Sequence, residues 1–199
     1  MYHQRVDDLA AFILAGGKSS RMGEDKAFLR LGDETLISRA LNLAKSLTPN
    51  VKIVGEAAKL AEFGVVVEDV YPDRGPLGGI HAALVTIDIA LNLMLAVDIP
   101  FVEAGFLEFL ISESRLSGAI VTVPRSGGHI HSLCAVYRRE FAAVAEQSLI
   151  RGQNRIDVLF SSVKTTVIEE AELQRLGFSS KMFRNLNTPD DWKEAQLKQ

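Results

Sequence analysis

The sequence predicts an α/β fold, a single domain in which a mostly parallel β-sheet lies between two layers of helices. Short apolar runs alternate with amphipathic helical segments along most of the 199 residues, and this alternation is typical of βαβ units with right-handed crossovers. Hydrophobic residues make up 47% of the chain, which is enough for one core of ordinary size. No internal repeat and no Pro/Ser-rich linker interrupts the sequence, so we expect residues 1–199 to form one domain.

The first predicted elements follow from apolar runs and the residues that end them. Ala10–Leu14 is an apolar run that leads into two glycines, as a buried strand entering a loop does. Thr35–Leu47 places its apolar residues on one helical face and stops at Pro49. Val51–Val54 and Val65–Glu68 are rich in β-branched residues and are predicted as strands, with a short polar helix or loop between them.

The alternation continues through the middle and the end of the chain. Pro76–Asp88 is predicted as a helix with its proline in the first turn, and Leu91–Val97 is predicted as an apolar strand that leads into Asp98. The remaining predicted strands are Ala119–Val123, Leu133–Tyr137 and Lys164–Ile168, and the remaining predicted helices are Glu103–Ser114, Arg138–Ile150, Ala171–Leu176 and Pro189–Lys198. We also expect a more irregular insertion between Ser126 and Phe160.

Composition excludes several classes of protein. High apolar content with a net charge of only −3 excludes a disordered chain, and a pI near 5.8 argues against a general nucleic-acid binder. The longest apolar candidate, Ile80–Val97, is interrupted by His81, Asp88 and Asn92, so no membrane span is expected. The first nine residues lack the apolar segment of a secretory signal, and the single Cys134 cannot form an internal disulfide. We therefore expect a cytoplasmic protein with no membrane or nucleic-acid partner.

A glycine-rich, cationic loop follows the first predicted strand. Between the strand and residue 26 it carries three glycines and three cations, which are Gly16, Gly17, Gly23, Lys18, Arg21 and Lys26. Glycines let backbone N–H groups approach a phosphate closely, and the cations supply opposite charge, so the loop favours a polyphosphate cradle. Its spacing matches neither a Walker A loop nor a dinucleotide fingerprint. The alternative is a glycine-rich turn with solvated charges.

Two carboxylates stand where predicted strands end, at the edge where open α/β sheets bind ligands. Mg²⁺ is typically held by one or two carboxylates plus substrate phosphates, so Asp98 is a candidate metal ligand; the alternative is a helix N-cap. Asp69 precedes the turn Gly75–Gly79, where a flat base could lie against the backbone. Its carboxylate could accept two N–H bonds from guanine or bond a ribose hydroxyl, and the alternative is a simple turn that starts a helix.

Two amides lie near the end of the chain. Asn185 and Asn187 alternate along an extended segment, so both side chains would point to one side and suggest polar recognition. Thr188 and Pro189 are predicted as the N-cap and first residue of the terminal helix.

These motifs occur in a fixed order. They are Leu14-Ala15-Gly16-Gly17-x-Ser19-x-Arg21-Met22-Gly23-x-Asp25-Lys26, Gly75-Pro76-Leu77-Gly78-Gly79, Ala96-Val97-Asp98-x-Pro100 and Asn185-x-Asn187-Thr188-Pro189. In order and approximate spacing they resemble the signature of the molybdenum cofactor guanylyltransferases, the MobA family. The resemblance covers about residues 10–195. It implies a three-layer α/β/α, Rossmann-like nucleotidyltransferase domain of the nucleotide-diphospho-sugar transferase type.

The resemblance also implies an activity. Members of this family transfer GMP from GTP to the phosphate of molybdenum-bound molybdopterin, forming the guanine dinucleotide cofactor and pyrophosphate. The implied nucleotide-binding half is 10–100 and the implied acceptor-binding half is 101–199. Mg²⁺ is the implied cofactor, GTP and molybdenum–molybdopterin are the implied substrates, and molybdoenzymes or other cofactor-synthesis proteins are candidate partners.

Residue roles carry over by position in the motifs. Nucleotide contacts are implied for Leu14, Ala15, Gly16, Gly17, Lys26, Asp69, Gly78 and Asp98. Catalytic roles are implied for Arg21, Lys26 and Asp98, with Asp98 also the metal ligand. Acceptor contacts are implied for Asn185 and Asn187.

The choice of nucleotide and acceptor has alternatives. Cytidylyl relatives tend to carry Ala in place of Gly16 and a different turn at 75–79, so the sequence favours GTP over CTP. The alternatives are a CTP-dependent molybdopterin cytidylyltransferase, a sugar-phosphate nucleotidyltransferase, for which the chain is short, and a GTP-binding scaffold that delivers cofactor to molybdoenzymes. Three positions depart from the family pattern: Val54-Gly55 replaces an Asn, His131-Ser132-Leu133 replaces a Pro-Leu strand entry, and 152–155 keeps one Arg of a pair.

Overall fold

The computed structural model describes residues 8–16, 25–186, 191, 192 and 195. Within them the strands are β1 (Leu9–Leu14), β2 (Arg30–Leu31), β3 (Glu34–Thr35), β4 (Val51–Val54), β5 (Val66–Val67), β6 (Leu91–Ala96), β7 (Val121–Ser126), β8 (His129–Ile130), β9 (Cys134–Arg138) and β10 (Thr165–Ile168). The α-helices are α1 (Leu36–Lys45), α2 (Ala57–Leu60), α3 (Pro76–Thr86), α4 (Ala104–Ser117), α5 (Phe141–Ile150) and α6 (Glu170–Arg175). Short 3₁₀ helices lie at Lys26–Phe28, Asp157–Ser162 and Ser180–Phe183.

The central sheet follows the order β10-β7-β9-β6-β1-β4-β5, with β8 paired to β7. β1 pairs in parallel with β4 on one side and with β6 on the other, and its last residue, Leu14, lies opposite Val54 and Ala96. The order therefore reverses at β1, since the chain moves outward to β4 and β5 and then returns to the far side of β1. This reversal is the switch point at which open α/β sheets form their ligand crevice.

The sheet is covered on both faces, as the alternation of strands and helices predicts. One face of β1 (Leu9, Ala11 and Ile13) packs in a buried cluster with residues of α1 and α4. The other face (Ala10 and Phe12) packs in a second cluster with residues of α3 and α5. The prediction of a mostly parallel sheet with helices on both sides is confirmed.

Two strands of the central sheet, the short hairpin strand β8 and the longer β9, run against the others, which the sequence did not indicate. β9 lies between β6 and β7 and is antiparallel to both. The expected irregular insertion between Ser126 and Phe160 is instead this central strand followed by α5. A buried apolar run such as Cys134–Tyr137 has the same composition whichever way the strand points, so its direction could not be predicted.

The structure also locates the smaller features. The β2–β3 hairpin between the first loop and α1 was not predicted. Among the residues described, no helix has the length and apolar character needed to cross a membrane.

Candidate active site

The crevice at the switch point is closed by backbone hydrogen bonds between strand ends. The Ala15 N–H donates to the Val54 carbonyl at 2.9 Å, and the Val97 N–H donates to the Leu14 carbonyl at 3.2 Å. These bonds fix the residues that follow β1, β4 and β6 side by side. We call the carboxyl ends of β1, β4, β5 and β6 the nucleotide edge of the sheet, and the neighbouring ends of β7 and β10 with the start of β9 the acceptor edge.

Lys26 and Asp98 meet at the nucleotide edge, although 72 residues separate them. The Lys26 Nζ lies 3.5 Å from the Asp98 Oδ2, and the two side chains are 20% and 24% exposed. Lys26 is placed by its neighbour, because the Asp25 side chain accepts a hydrogen bond from the Ala27 N–H at 3.2 Å and caps the short 3₁₀ helix. A cation and a carboxylate that remain partly open to solvent are available to a charged ligand.

Asp98 is not a helix cap, which removes the alternative raised by the sequence. α4 begins at Ala104 with Glu103 at its N-cap. The Asp98 backbone carbonyl instead accepts a hydrogen bond from the Leu186 N–H at 3.0 Å, which ties the segment containing Asn185 to the crevice.

The residues at the crevice fit a magnesium ion shared with a substrate. No group of three or more His, Cys, Asp or Glu side chains that could cage a metal occurs in the described part of the chain. Mg²⁺ usually takes one or two carboxylates and completes its shell with water and substrate phosphates. The half-open Asp98 carboxylate beside Lys26 is a donor of this kind.

Asp69 lies against the glycines that begin α3. A Cβ at Gly78 would stand 3.5 Å from the Asp69 Oδ2, and a Cβ at Gly79 would stand 3.6 Å from its Oδ1 and 3.1 Å from the Val54 Cγ1. α3 takes Gly75 as its N-cap, so Asp69 does not cap the helix. Desolvation raises the pKa of Asp69 even though the residue is exposed as a whole, because its carboxylate faces this packed glycine surface.

Close approach of strand ends explains one departure from the family pattern. A Cβ at Gly55 would lie 2.6 Å from the Leu60 Cδ1 and 3.3 Å from the Gly16 backbone nitrogen. Leu60 therefore occupies the space that a side chain at position 55 would need. A Cβ at Gly16, by contrast, would make only ordinary contacts, 3.5 Å from the Gly55 Cα at the nearest. Packing against the described residues does not demand glycine at position 16.

Several predicted site residues can be placed and others cannot. Leu14 and Ala15 are buried at the end of β1, and Gly16 is exposed. Asn185 is exposed and directly precedes the residue bonded to Asp98. Gly17, Arg21 and Asn187 lie outside the described residues, as does the Thr188-Pro189 pair.

The acceptor edge contains groups to which the sequence analysis assigned no role. The His131 ring stacks on the Phe183 ring, with centroids 4.1 Å apart and planes 10° apart. Among the residues that the structure describes, no hydrogen-bond partner lies within reach of its buried Nε2. Burial lowers the pKa of His131; a backbone hydrogen bond to Ser126 opposes this, His129 lowers the pKa further, and Glu170 raises it.

Lys59 of α2 was also missed. Its Nζ lies 2.7 Å from a Glu56 carboxylate oxygen and 4.0 Å from the Asp25 Oδ2, next to the Lys26 turn. The sequence signal for Lys59 was a cation five residues after the end of β4.

Comparison with known proteins identifies the family. Residues 11–166 match the model of the MobA-like NTP transferase domain. The chain belongs to this family. It is 35% identical to a probable molybdenum cofactor guanylyltransferase of Pelotomaculum thermopropionicum over 187 residues, which cover 93% of this chain and 90% of that protein. It is 32% identical to the molybdenum cofactor guanylyltransferase of Syntrophotalea carbinolica, over 93% of this chain and 89% of that protein.

The similarity to a solved structure supports the same family assignment. Molybdopterin-guanine dinucleotide biosynthesis protein A of Archaeoglobus fulgidus superposes with a TM-score of 0.83 at 26% identity, covering 95% of this chain and 97% of that one. As a member of the MobA-like NTP transferase family, the chain is a nucleotidyltransferase.

Proposed function

We propose that the chain transfers GMP from GTP to the phosphate of molybdenum-bound molybdopterin, forming the guanine dinucleotide cofactor and releasing pyrophosphate. Its similarity to molybdenum cofactor guanylyltransferases and to a molybdopterin-guanine dinucleotide biosynthesis protein supports this acceptor and this nucleotide. The observation that carries the proposal is the Lys26–Asp98 pair at the switch point, since it places one cation and one carboxylate where a triphosphate would enter.

In this proposal the nucleotide edge binds GTP and the acceptor edge binds molybdopterin. Lys26 binds the triphosphate, the backbone of Leu14, Ala15 and Gly16 lies along the nucleotide, and Asp69 reads the guanine or ribose beside Gly78. Asn185, tied to Asp98 through Leu186, contacts the acceptor. Gly17 and Arg21 also contact the triphosphate in this proposal, and Asn187 the acceptor.

The transfer is an in-line displacement at the α-phosphorus. An oxygen of the acceptor phosphate forms a bond to the α-phosphorus, and the bond from that phosphorus to the bridging oxygen of pyrophosphate breaks. A phosphate monoester has a second pKa near 6, so the acceptor is already largely dianionic at neutral pH and needs no strong general base. The obstacle is repulsion between two anions. Lys26 reduces it and stabilises the leaving pyrophosphate, so that positioning and charge neutralisation supply most of the acceleration.

Asp98 would hold Mg²⁺. When bound, the ion would neutralise phosphate charge and add electrostatic stabilisation at the site. The Asp98 carboxylate fits this role because it is partly exposed beside Lys26.

Selection of GTP over CTP rests on space. Contacts with the described residues leave room for a Cβ at Gly16, and Gly78 and Gly79 keep the start of α3 flat beside Asp69. A purine needs more room than a pyrimidine at such a surface. The carboxylate can also accept hydrogen bonds from the N–H groups of guanine.

Pyrophosphate release tests the proposal directly. The full chain is incubated with Mg²⁺ and molybdenum-loaded molybdopterin, with GTP, CTP or ATP in parallel, and the product is identified by mass. We expect release with GTP alone, loss of release in Asp98→Asn, and normal release in Asp88→Asn. Asp88 is a matched carboxylate, 94% exposed, whose described partner is Arg139 at 3.6 Å.

Other outcomes have definite meanings. Pyrophosphate release with CTP alone would contradict the argument that the site selects GTP, but it would leave the proposed transfer mechanism intact. Binding of GTP without release, in the presence of the loaded acceptor, would favour a scaffold that delivers cofactor.

A further inference from the structure

A hydrogen bond joins the loop between β5 and α3 to α5. The Tyr71 hydroxyl donates a hydrogen bond to the Glu146 Oε1 at 3.2 Å across 75 residues of sequence. Arg74 reaches the turn after α5, where its Nη1 would lie 3.7 Å from a Cβ at Gly152. A loop of the nucleotide edge is thus attached to a helix of the other half of the chain.

A buried histidine supports this attachment. His81 of α3 is 2% exposed, and its ring meets that of Tyr71 edge-on, with centroids 5.2 Å apart. Its Nε2 lies 4.0 Å from the same Glu146 Oε1. Burial lowers the pKa of His81, so the ring is neutral near pH 7 and does not compete as a cation for Glu146. Burial and the Glu146 bond raise the pKa of Tyr71, so its phenol stays protonated and able to donate.

The same loop determines where Asp69 lies. The Tyr71 carbonyl oxygen would be 3.1 Å from a Cβ at Gly78, and the Asp69 Oδ2 would be 3.5 Å from it. Asp73 and Gly75 both have positive φ, 59° and 65°. A non-glycine residue in that region persists when surrounding contacts hold it there. Tyr71 lies between Asp69 and Asp73 in this loop and is hydrogen-bonded to α5, so a shift of Tyr71 would move the segment that carries Asp69.

We infer that Tyr71 and Glu146 are positioning residues that clamp the Asp69 loop on α5 and thereby set selectivity for the exocyclic amino group of guanine. The inference rests on the proposed function, because it acts through the reading of the base by Asp69. Neither residue touches the reacting phosphates. Their effect is on which nucleobase is accepted rather than on the chemical step.

The test compares GTP with ITP, which differs from GTP only in lacking that amino group. We expect Tyr71→Phe and Glu146→Ala each to lower the GTP-to-ITP ratio of kcat/KM roughly three- to tenfold, the range of one ordinary hydrogen bond. The double variant should lose no more than either single variant. Glu146→Gln keeps an acceptor oxygen and should retain the ratio, and Glu140→Ala, at the start of the same helix, serves as the control.

A purely structural role would give a different result. If Tyr71→Phe lowered the melting temperature and reduced kcat/KM for GTP and ITP equally, the inference would be overturned. An unchanged ratio in Tyr71→Phe would also overturn it.

The experiment separates this inference from the proposed function. If Asp69→Asn removes the GTP preference and Tyr71→Phe does not, the clamp is wrong and base reading by Asp69 stands. If Asp69→Asn leaves the preference intact, both the clamp and the role of Asp69 are wrong, while GMP transfer is unaffected. Calorimetric affinities for GTP and ITP without acceptor give the same ratio, so a failure of GMP transfer leaves the inference testable.

Discussion

The nucleotide edge and the acceptor edge of the sheet differ in their contacts, which are mainly main-chain contacts at the first and side-chain contacts at the second. At the nucleotide edge, strand ends are joined by backbone hydrogen bonds, and glycines bring main chains together. At the acceptor edge, an aromatic stack joins His131 to Phe183, and Glu170 accepts hydrogen bonds from the Ser126 hydroxyl and the Gly127 N–H.

The difference teaches where sequence constrains function. A site made of main chain tolerates few substitutions, because any added Cβ meets neighbouring atoms or the ligand. A site made of side chains can change its residues and keep its shape. The nucleotide edge therefore carries the motifs that a single sequence reveals. Of the three departures from the family pattern, those at 131–133 and 152–155 lie beyond this edge, and Val54-Gly55 lies within it at the end of β4.

The largest expected effect comes from removing the charges of the nucleotide edge. Asp98→Asn and Lys26→Met should each lower kcat for GMP transfer by roughly 10³-fold, because charge stabilisation is the main contribution to such a step. Pyrophosphate release at saturating GTP measures it. A loss of less than tenfold in both variants would mean that the catalytic charges lie elsewhere.

Asp69→Asn should have the next largest effect. Hydrogen bonds to a charged group contribute about 1.5–3 kcal/mol, so kcat/KM for GTP should fall roughly 10- to 100-fold. Burial raises the pKa of the native Asp69 carboxyl above its unfolded value of 3.8, so its contribution to stability is present below pH 3.8 and lost as pH rises through the native pKa.

The direction of this pH dependence separates the role of Asp69 in function from its role in folding. At pH 7 the ionised carboxylate contributes no stability, so Asp69→Asn should leave the melting temperature unchanged or raise it while activity falls. A lower melting temperature would show that Asp69 serves the fold instead.

Two helical glycines sharpen the comparison between a packed and an open main chain. A Cβ at Gly79 would stand 3.1 Å from the Cγ1 of buried Val54, whereas one at Gly105 of α4 would meet nothing within 4 Å. Gly79→Ala should destabilise the protein by about 1–2 kcal/mol through overpacking. Gly105→Ala should stabilise it by about 0.5–1 kcal/mol through helix propensity. Denaturant unfolding of both variants measures these changes. If the free energy of unfolding changed with the same sign in both, the contrast between the two glycines would be refuted.

The smallest expected effect concerns acid stability. Burial lowers the pKa of His131 below the ordinary histidine value of 6.5. The stability that the neutral His131 ring contributes is therefore present above pH 6.5 and lost as pH falls through the native pKa. His131→Phe keeps an aromatic ring on Phe183 and removes the titration. Its unfolding free energy should fall less between pH 7 and pH 5 than that of the wild type. His129 also lowers the pKa of His131, so His129→Phe should reduce this fall as well, by less than His131→Phe does.

The nucleotide edge could be predicted because its signals are local. β1, β4 and β6 are short apolar runs with glycine or aspartate at their ends, and a parallel sheet places those ends together. Tyr71 and Glu146 gave no signal, because their contact joins residues 75 apart whose types are ordinary for an exposed loop and helix. His131 gave little, since stacking on Phe183 depends on the direction of β9.

The position of β9 has a consequence for how the protein is made. A chain that has emerged from the ribosome as far as β6 already contains all four strands of the nucleotide edge, in the order β5-β4-β1-β6. β7 comes next but pairs only with β9, β10 and the hairpin strand β8, so it has no place beside β6 until β9 has been synthesised. At the usual 5–20 residues per second the two strands appear within about a second of each other. The first part can therefore take shape during translation, while β7 can join the sheet only after β9 has been made, and β10 can pair with β7 only later still.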